Sequence, residues 1–257
     1  MNLNDITPVI LTLDEEANLA RTLAPLHWAR EIVIVDSGST DATREIAARH
    51  ANVRWLERPF DQFARQWTYA VHESNISSEW ILALDADYEL TPELVSELAR
   101  LEPLEQTEAF RARFVYCVLG RPLRGSLYPP VPVLFRRTRS AFEQDGHAQR
   151  LRVRGGIGDL AAPIRHDDRK PLAVWFANQV RYAGQEADKL LATSGSRLGF
   201  ADRLRLAILP APFAALLYAL FWKGGVLDGW PGLYYALQRA LAEALLSVTL
   251  LDRRLRR

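Results

Sequence analysis

The stretch that decides the fold is Ile32-Val33-Ile34-Val35-Asp36-Ser37-Gly38-Ser39-Thr40-Asp41. Its continuous run of β-branched residues is typical of a parallel strand that is buried on both faces. Gly38 and the small polar residues around it predict a tight turn, and Ser39, Thr40 and Asp41 suit the first turn of a helix. The segment therefore predicts a strand, a turn and a helix in immediate succession, which is the repeating unit of an α/β protein.

The same alternation continues along the chain. The predicted strands of the first hundred residues are 8–13, 32–36, 53–56 and 80–85, and the predicted helices are 15–26, 41–50, 61–73 and 92–100. Further strands are predicted at 110–119 and 131–136, and further helices at 171–191 and 233–251. The fold class that follows is α/β, with a mainly parallel central sheet flanked by helices.

Length and composition fit one globular domain with an appendage. The chain has 257 residues, of which 49% are hydrophobic and 25% charged. We expect a main domain over 1–195, divided into halves at 1–105 and 106–195, and a helical extension over 196–257. A net charge of +1, from 32 basic and 31 acidic residues, gives no electrostatic reason to expect nucleic-acid binding.

Cysteine usage and the start of the chain bear on the cellular compartment. Cys117 is the only cysteine, which excludes an intramolecular disulfide and a cysteine-based metal cluster and suits a reducing cytoplasm. Residues 1–16 have no basic segment and several acidic side chains. We therefore expect no secretory signal there.

The expected extension has an unusual apolar composition. Residues 206–222 contain no charged side chain, but this run of 17 residues (222 − 206 + 1) includes Pro210 and Pro212 and is shorter than the roughly 20 residues of a spanning helix. Basic residues flank it and follow the second apolar run at 233–251. Such flanks favour an anionic membrane surface, so we expect residues 197–257 to contact a membrane surface. Packing on the domain or within a homo-oligomer stays open as the alternative.

Acidic residues follow two of the predicted strands. Asp85 and Asp87 are two positions apart at the end of an apolar run, and alternate side chains of an extended chain point the same way. Their hard oxygen atoms suit Mg²⁺ or Mn²⁺, which takes substrate phosphates as its other ligands. Turn and helix capping account for Ser39, Thr40 and Asp41, but they leave the Asp36 carboxylate as a candidate acceptor for a base N–H or a ribose hydroxyl.

Three motifs together resemble those of family 2 glycosyltransferases. They are Ile10-Leu11-Thr12-Leu13-Asp14-Glu15-Glu16, Val35-Asp36-Ser37-Gly38-Ser39-Thr40-Asp41 and Leu84-Asp85-Ala86-Asp87. The resemblance implies the GT-A fold, which is a Rossmann-like nucleotide-binding fold, and a nucleotide-sugar held with a divalent ion. It also implies that Thr12, Glu15 and Asp36 contact the nucleoside, Asp85 the ribose or metal, and Asp87 the metal. The first motif has Leu11, Leu13 and Asp14 where proline, an aromatic residue and asparagine are common.

The second half is similar to lipopolysaccharide-core glucosyltransferases of the same family. The similar segments are 119–124, 128–129, 134–137 and 227–233. This resemblance implies an inverting, metal-dependent transfer of a sugar from a nucleotide-sugar, such as a UDP-hexose, to a lipid-linked saccharide acceptor. It also implies work at the cytoplasmic face of the bacterial inner membrane. The alternatives are a polyprenyl-phosphate glycosyltransferase and a non-catalytic membrane-bound scaffold.

Transfer to a hydroxyl requires a base, for which a carboxylate is the usual choice. Residues 142–149 supply Glu143, Asp145 and His147 as candidates. Relatives often have His-Glu here, whereas His147 precedes Ala148 in this chain. We therefore assign the base to Asp145, with His147 orienting it or the diphosphate.

Two other segments carry weaker signals. Residues 166–170 begin with His166 and supply either a further metal ligand and phosphate contacts or a solvated charged turn, and both readings stay open. Residues 156–161 fit the G-x-G-x-x-A dinucleotide fingerprint, which would indicate an oxidoreductase. Because Pro163 interrupts the helix that this fingerprint must open, we reject that function.

Overall fold

The computed structural model describes residues 1–145, 148–194, 196 and 198–256, and it divides into two compact units. The first unit comprises Met1–Cys117, Tyr128–Gln144 and Ala148–Arg169. The second comprises Val118–Leu127, Asp145–His147 and Lys170–Arg257. The expected domain boundary after residue 195 stays a prediction.

A seven-stranded sheet forms the centre of the first unit. In spatial order its strands are β12 (Gly156–Asp159), β6 (Thr107–Ala112), β9 (Val131–Arg136), β4 (Trp80–Asp85), β1 (Ile6–Thr12), β2 (Ile32–Asp36) and β3 (Val53–Glu57). Neighbouring strands are parallel except that β9 is antiparallel to both β4 and β6. This confirms the predicted α/β class with a mainly parallel central sheet. The segment with the dinucleotide fingerprint forms β12, an edge strand.

Helices flank this sheet. They are α1 (Leu19–Leu23), α2 (Thr43–Ala47), α3 (Phe63–Thr68) and α4 (Pro92–Arg100), with short 3-10 segments at Leu3–Asp5, Ala24–Leu26 and Arg137–Arg139 and a π-helical turn at Tyr69–Glu73. The side chain of Thr91 accepts a hydrogen bond from the Leu94 N–H (3.2 Å) and so caps α4. Ile34 packs in one apolar cluster and Val33 in another, which explains why β2 is apolar throughout.

Two smaller sheets contain most of the remaining strands. One contains β5 (Tyr88–Leu90), β13 (Ile164–His166) and β7 (Phe114–Val118), with β13 in the middle. The other pairs β10 (Ser140–Asp145) with β11 (Ala148–Val153). The single strand predicted at 110–119 was wrong: β6 ends at Ala112, the exposed Arg113 follows, and β7 belongs to a different sheet.

The second unit is mainly helical. It contains the short strand β8 (Arg121–Pro122) and the helices α5 (Leu172–Ala192), α6 (Phe200–Leu206), α7 (Pro210–Leu217) and α8 (Trp230–Leu255), with a π-helical turn at Tyr218–Trp222 and a 3-10 turn at Gly225–Asp228. Ala187 of α5 and Leu250 of α8 belong to one buried apolar cluster. None of the helices in the described part of the chain combines the length and apolar character needed to cross a bilayer.

Candidate active site

The sheet register brings the predicted acidic residues to one edge. Thr12 at the end of β1 pairs with Asp36 at the end of β2, and Leu11 pairs with Asp85 at the end of β4. These strands are parallel, so their carboxyl ends lie side by side. Ligands of open parallel sheets bind just outside this edge.

The Asp36 carboxylate is buried and organises the turn after β2. Its Oδ1 accepts hydrogen bonds from Thr12 Oγ1 (2.7 Å) and Ser39 Oγ (2.5 Å), and its Oδ2 accepts from the N–H groups of Gly38 (2.9 Å) and Ser39 (2.7 Å). Both carboxylate oxygens therefore stabilise the turn, a role that the sequence had predicted only for Ser39, Thr40 and Asp41. Its contact with a nucleoside stays a prediction.

The loop after β1 is hydrogen-bonded to the loop after β2. The Asp14 N–H donates to Ser39 Oγ (2.9 Å), and the Thr40 N–H donates back to Asp14 Oδ1 (2.8 Å). Asp14 has a φ of 51°, a left-handed conformation that aspartate and asparagine tolerate better than most residues. Aspartate at position 14 can therefore adopt the same left-handed backbone conformation as the asparagine that is common there.

The same loop continues through Glu15, whose side chain belongs to a polar network. The buried Asn18 donates from Nδ2 to Glu15 Oε2 (3.0 Å) and to Asp168 Oδ1 (2.9 Å). Its Oδ1 accepts from the Arg169 N–H (2.9 Å) and from Arg21 Nη2 (3.0 Å). Asn18 thus joins the β1 loop to the segment after β13. The polar role of Asn18 was not foreseen from the sequence, since one asparagine in a helical pattern carries no specific signal.

The paired aspartates follow β4 and are held close to this network. Asp85 is exposed and Asp87 is half-buried. Thr22 Oγ1 donates to the carbonyl of Ala86 between them (2.6 Å), and the Asp167 N–H donates to the Asp87 carbonyl (3.1 Å). The backbone of the Asp-x-Asp segment is thereby fixed from α1 on one side and from the end of β13 on the other.

His166, at the end of β13, meets Asp87. Its Nε2 lies 3.1 Å from Asp87 Oδ2, while its buried Nδ1 has no hydrogen-bond partner among the described residues. Burial alone would lower the pKa of His166, but the neighbouring Asp87 carboxylate, together with Asp85 and Asp168, raises it overall. The His166 side chain is only 12% exposed, which does not fit a fully solvated turn, and its role as a metal ligand stays a prediction.

Aromatic rings enclose His166. The ring centroids of Tyr116 and Tyr128 each lie 4.7 Å from the imidazole centroid, and that of Tyr88 lies 5.2 Å away. Burial, with a further contribution from Asp85, raises the pKa of both Tyr88 and Tyr128, so that both phenols stay protonated at neutral pH. These rings surround the His166 side chain, which is 12% exposed. Tyr88 comes from β5, Tyr116 from β7 and Tyr128 from the segment before β9, so their convergence on His166 was not predictable from the sequence.

The Asp87–His166 pair fits a divalent cation. Two ligand atoms that bind one small cation at right angles lie about 3 Å apart, since each metal–oxygen bond is about 2.1 Å long. The 3.1 Å between Asp87 Oδ2 and His166 Nε2 is close to this separation and is also the length of a hydrogen bond between the two side chains. Within the described ranges, no group of three or more histidine, cysteine, aspartate or glutamate side chains is arranged to hold a metal. Two protein ligands would leave the remaining positions of a cation for phosphate oxygens.

The predicted base belongs to the second unit. Asp145 Oδ1 forms an ion pair with Lys189 Nζ of α5 (2.9 Å), and Lys189 also lies 3.6 Å from Glu186. Burial opposes the charge of Lys189, but these two carboxylates raise its pKa overall. His147 lies outside the described residues. The catalytic roles of Asp145 and His147 stay predictions.

The sequence of this chain is similar to those of known glycosyltransferases. Residues 8–144 match the family described as glycosyl transferase family 2. The chain is 33% identical over 102 residues to the lipopolysaccharide core biosynthesis glycosyltransferase LpsC of Rhizobium meliloti, a match that covers 35% of this chain and 37% of LpsC. It is 34% identical over 94 residues to an uncharacterized glycosyltransferase of Rickettsia typhi, covering 36% of this chain and 31% of that protein. The matches thus span about a third of each relative.

Solved structures with a similar fold include two of S. aureus TarS. The complex with UDP-GlcNAc has a TM-score of 0.52 and 14% sequence identity, and the comparison covers 100% of this chain and 93% of that one. The complex with UDP has a TM-score of 0.50 and 13% identity, covering 100% and 92%. At these identities the likeness is one of fold.

Proposed function

The chain belongs to glycosyl transferase family 2 and has the GT-A fold, and we propose that it is an inverting hexosyltransferase of cell-envelope glycan synthesis. In this proposal it moves a hexose from a uridine diphosphate sugar to a lipid-linked saccharide of the lipopolysaccharide core. The reaction takes place at the cytoplasmic face of the bacterial inner membrane.

The juxtaposition of Asp87 and His166 carries the proposal. A carboxylate and an imidazole 3.1 Å apart, just past the sheet edge formed by Thr12, Asp36 and Asp85, suit a divalent cation that is shared with a diphosphate. Mg²⁺ or Mn²⁺ bound there would neutralise charge on the departing diphosphate. The similar TarS fold was solved with UDP-GlcNAc and with UDP, which supports a uridine nucleotide as the donor.

The acceptor is proposed from the relatives and from the second half of the chain. LpsC carries the name of a lipopolysaccharide core biosynthesis glycosyltransferase, and segments 119–124, 128–129, 134–137 and 227–233 resemble enzymes of that kind. This supports a saccharide hydroxyl on a lipid-linked acceptor as the nucleophile.

The chemistry assigned to the chain's own residues is a single displacement. The acceptor hydroxyl oxygen attacks the anomeric carbon, the bond from that carbon to the phosphate oxygen breaks, and the nucleoside diphosphate leaves with the electron pair. The Asp145 carboxylate accepts the hydroxyl proton, and Lys189 positions that carboxylate through their 2.9 Å ion pair. Thr12, Glu15 and Asp36 position the nucleoside, and Asp85 binds the ribose or the cation.

Two alternatives predict different products. A polyprenyl-phosphate glycosyltransferase would use a phosphate oxygen as its nucleophile and would release an acid-labile glycosyl phosphate lipid. A non-catalytic scaffold with this fold would bind a nucleotide without turnover. The inverting transfer to a hydroxyl requires an acid-stable glycoside with the opposite anomeric configuration to that of the donor.

The test combines ligand binding with product analysis. Thermal shifts measured with a panel of nucleotide-sugars, with and without Mn²⁺, should single out a uridine diphosphate hexose whose stabilisation requires the metal. The selected donor is then incubated with truncated lipopolysaccharide acceptors, and the anomeric configuration of the product is determined by NMR. Absence of any metal-dependent shift across the panel would contradict the proposal.

A further inference from the structure

Helix α7 and the π-helical turn that follows it bury small apolar residues and expose large ones, which is the reverse of the usual arrangement. The inward residues are small: Ala211 is 3% exposed, Ala215 8% and Ala219 1%. The outward residues are large: Phe213 is 67% exposed, Leu217 55% and Phe221 66%. A water-facing helix normally buries its large apolar side chains and exposes charge, yet residues 206–222 include no charged side chain at all. We call the outward side chains of Phe213, Leu217, Tyr218, Phe221 and Trp222 the α7 apolar face.

Two exposed tryptophans lie at the tip between α7 and α8. Trp222 is 78% exposed and stacks on Tyr218 (6.3 Å between centroids), and Trp230 is 81% exposed. The backbones of Gly225 and Gly232 pack so closely that a Cβ on Gly232 would lie 1.9 Å from the Gly225 carbonyl oxygen. This contact packs the 3-10 turn at Gly225–Asp228 against the start of α8, and the two tryptophans lie on either side of that turn in the chain, so both indoles belong to one tip. Indole rings favour the boundary between hydrocarbon and headgroups, because their rings are apolar and their N–H groups are polar.

The charge that borders this tip is basic. Lys223 follows the α7 apolar face directly and lies over the Tyr218 ring (5.5 Å), and the exposed Arg124 lies next to Gly224, where an added Cβ would be 3.9 Å from the Arg124 side chain. The acidic Asp228 is withdrawn: its side chain is 8% exposed, accepts the Arg124 N–H (3.0 Å) and lies 3.4 Å from the Arg124 guanidinium. The exposed charge among these residues is therefore positive.

We propose that the α7 apolar face and its basic border form a docking surface for an anionic phospholipid bilayer. Apolar and aromatic side chains enter the headgroup region, while Arg124 and Lys223 contact lipid phosphates. A spanning arrangement does not fit, because no helix among the described residues is long and apolar enough. A second copy of the chain fits less well, since a two-fold contact across this face would bring basic residues of both copies together.

The proposal is tested by sedimentation of the full chain with vesicles, without nucleotide or acceptor, so its outcome is separate from that of the transfer reaction. One set of vesicles contains phosphatidylcholine alone, and the other contains an equimolar mixture with phosphatidylglycerol. We expect tight binding only to the anionic vesicles, weakened by salt. The double variant Phe221→Ser/Trp222→Ser should lose about tenfold or more in apparent affinity, and Arg124→Ala/Lys223→Ala should lose the preference for anionic lipid.

Leu104→Ser supplies the matched control, because Leu104 is an exposed apolar residue (64%) of the first unit. It should bind vesicles as the wild type does. Circular dichroism checks that each variant is folded. Failure of the wild type to sediment, or equal binding by wild type and Phe221→Ser/Trp222→Ser, overturns the proposal. A change from dimer to monomer in the double variant, measured by analytical ultracentrifugation without lipid, would assign the face to a second copy instead.

Discussion

Asp87 and His166 are 79 positions apart in the chain, and their side chains meet at 3.1 Å between Oδ2 and Nε2. The contact exists because β13 pairs with β5, which places His166 opposite Tyr88, the residue after Asp87. A carboxylate from the Asp-x-Asp segment and an imidazole from a distant strand thus form one candidate metal site.

Removal of either member of this pair should abolish metal-dependent binding of uridine diphosphate. We expect Asp87→Ala and His166→Ala each to lower the transfer rate by about 100-fold or more, because charge on the leaving group is no longer neutralised. Isothermal titration with and without Mn²⁺ measures the binding. Asp159→Asn is the control, since Asp159 is an exposed carboxylate paired with Arg111. Metal-dependent binding that survives in both alanine variants would rule out this site.

Asp36 should contribute to stability even without a ligand. Asp36→Ala removes the acceptor of four hydrogen bonds and leaves the buried Thr12 hydroxyl and the part-buried donors of Gly38 and Ser39 without this partner. We expect a loss on the order of 3 kcal/mol in the free energy of unfolding of the ligand-free protein. Urea denaturation measures it. Ser39→Ala removes two hydrogen bonds, one donated to Asp36 and one accepted from the Asp14 N–H, and should cost less. An Asp36→Ala variant as stable as the wild type would mean that the turn does not depend on this carboxylate.

The sequence predicted which acidic residues lie at the strand ends of the site. It did not predict which side chains and backbone groups contact them. Apolar runs that stop at Asp36 and Asp85 locate the sheet edge, because buried parallel strands are uniformly apolar. The hydrogen bonds of Asp36 depend on how the turn folds back, which composition does not specify. His166 depends on pairing between strands far apart in sequence, and a lone histidine carries no information about its neighbour.

The Lys189–Asp145 ion pair should set the pH dependence of transfer. In Lys189→Met the cation next to Asp145 is lost, so the carboxylate becomes easier to protonate. The acidic limb of the kcat/KM profile should therefore move to higher pH, while binding of uridine diphosphate is unchanged. Lys189→Arg keeps the charge and should largely restore the profile. An unshifted acidic limb in Lys189→Met would exclude Lys189 as a positioning residue for Asp145.

Cys117 should react slowly in the native protein. Burial, reinforced by the negative charge of Asp167, raises the pKa of its thiol to about 11. Near pH 8 only about one thiol in a thousand is then ionised, and the thiolate is the reactive form. Alkylation by iodoacetamide, followed by mass spectrometry, should be at least about 100-fold slower in buffer than in urea. Similar rates in the two conditions would contradict the buried position of this side chain.

Two glycines of the second unit should respond oppositely to alanine. At Gly232 a Cβ would lie 1.9 Å from the backbone oxygen of Gly225, so Gly232→Ala must push the start of α8 away from the preceding turn and cost about 3 kcal/mol. At Gly184, within α5, no atom lies within 4 Å of the added Cβ. Gly184→Ala should therefore stabilise the protein by about 0.5 to 1 kcal/mol through helix propensity. Thermal unfolding followed by circular dichroism compares the two variants, and vesicle binding then shows whether the tip depends on this contact. If Gly232→Ala unfolds no earlier than the wild type, the close packing of α8 against the turn does not hold the tip together, and the two tryptophans need not share one surface.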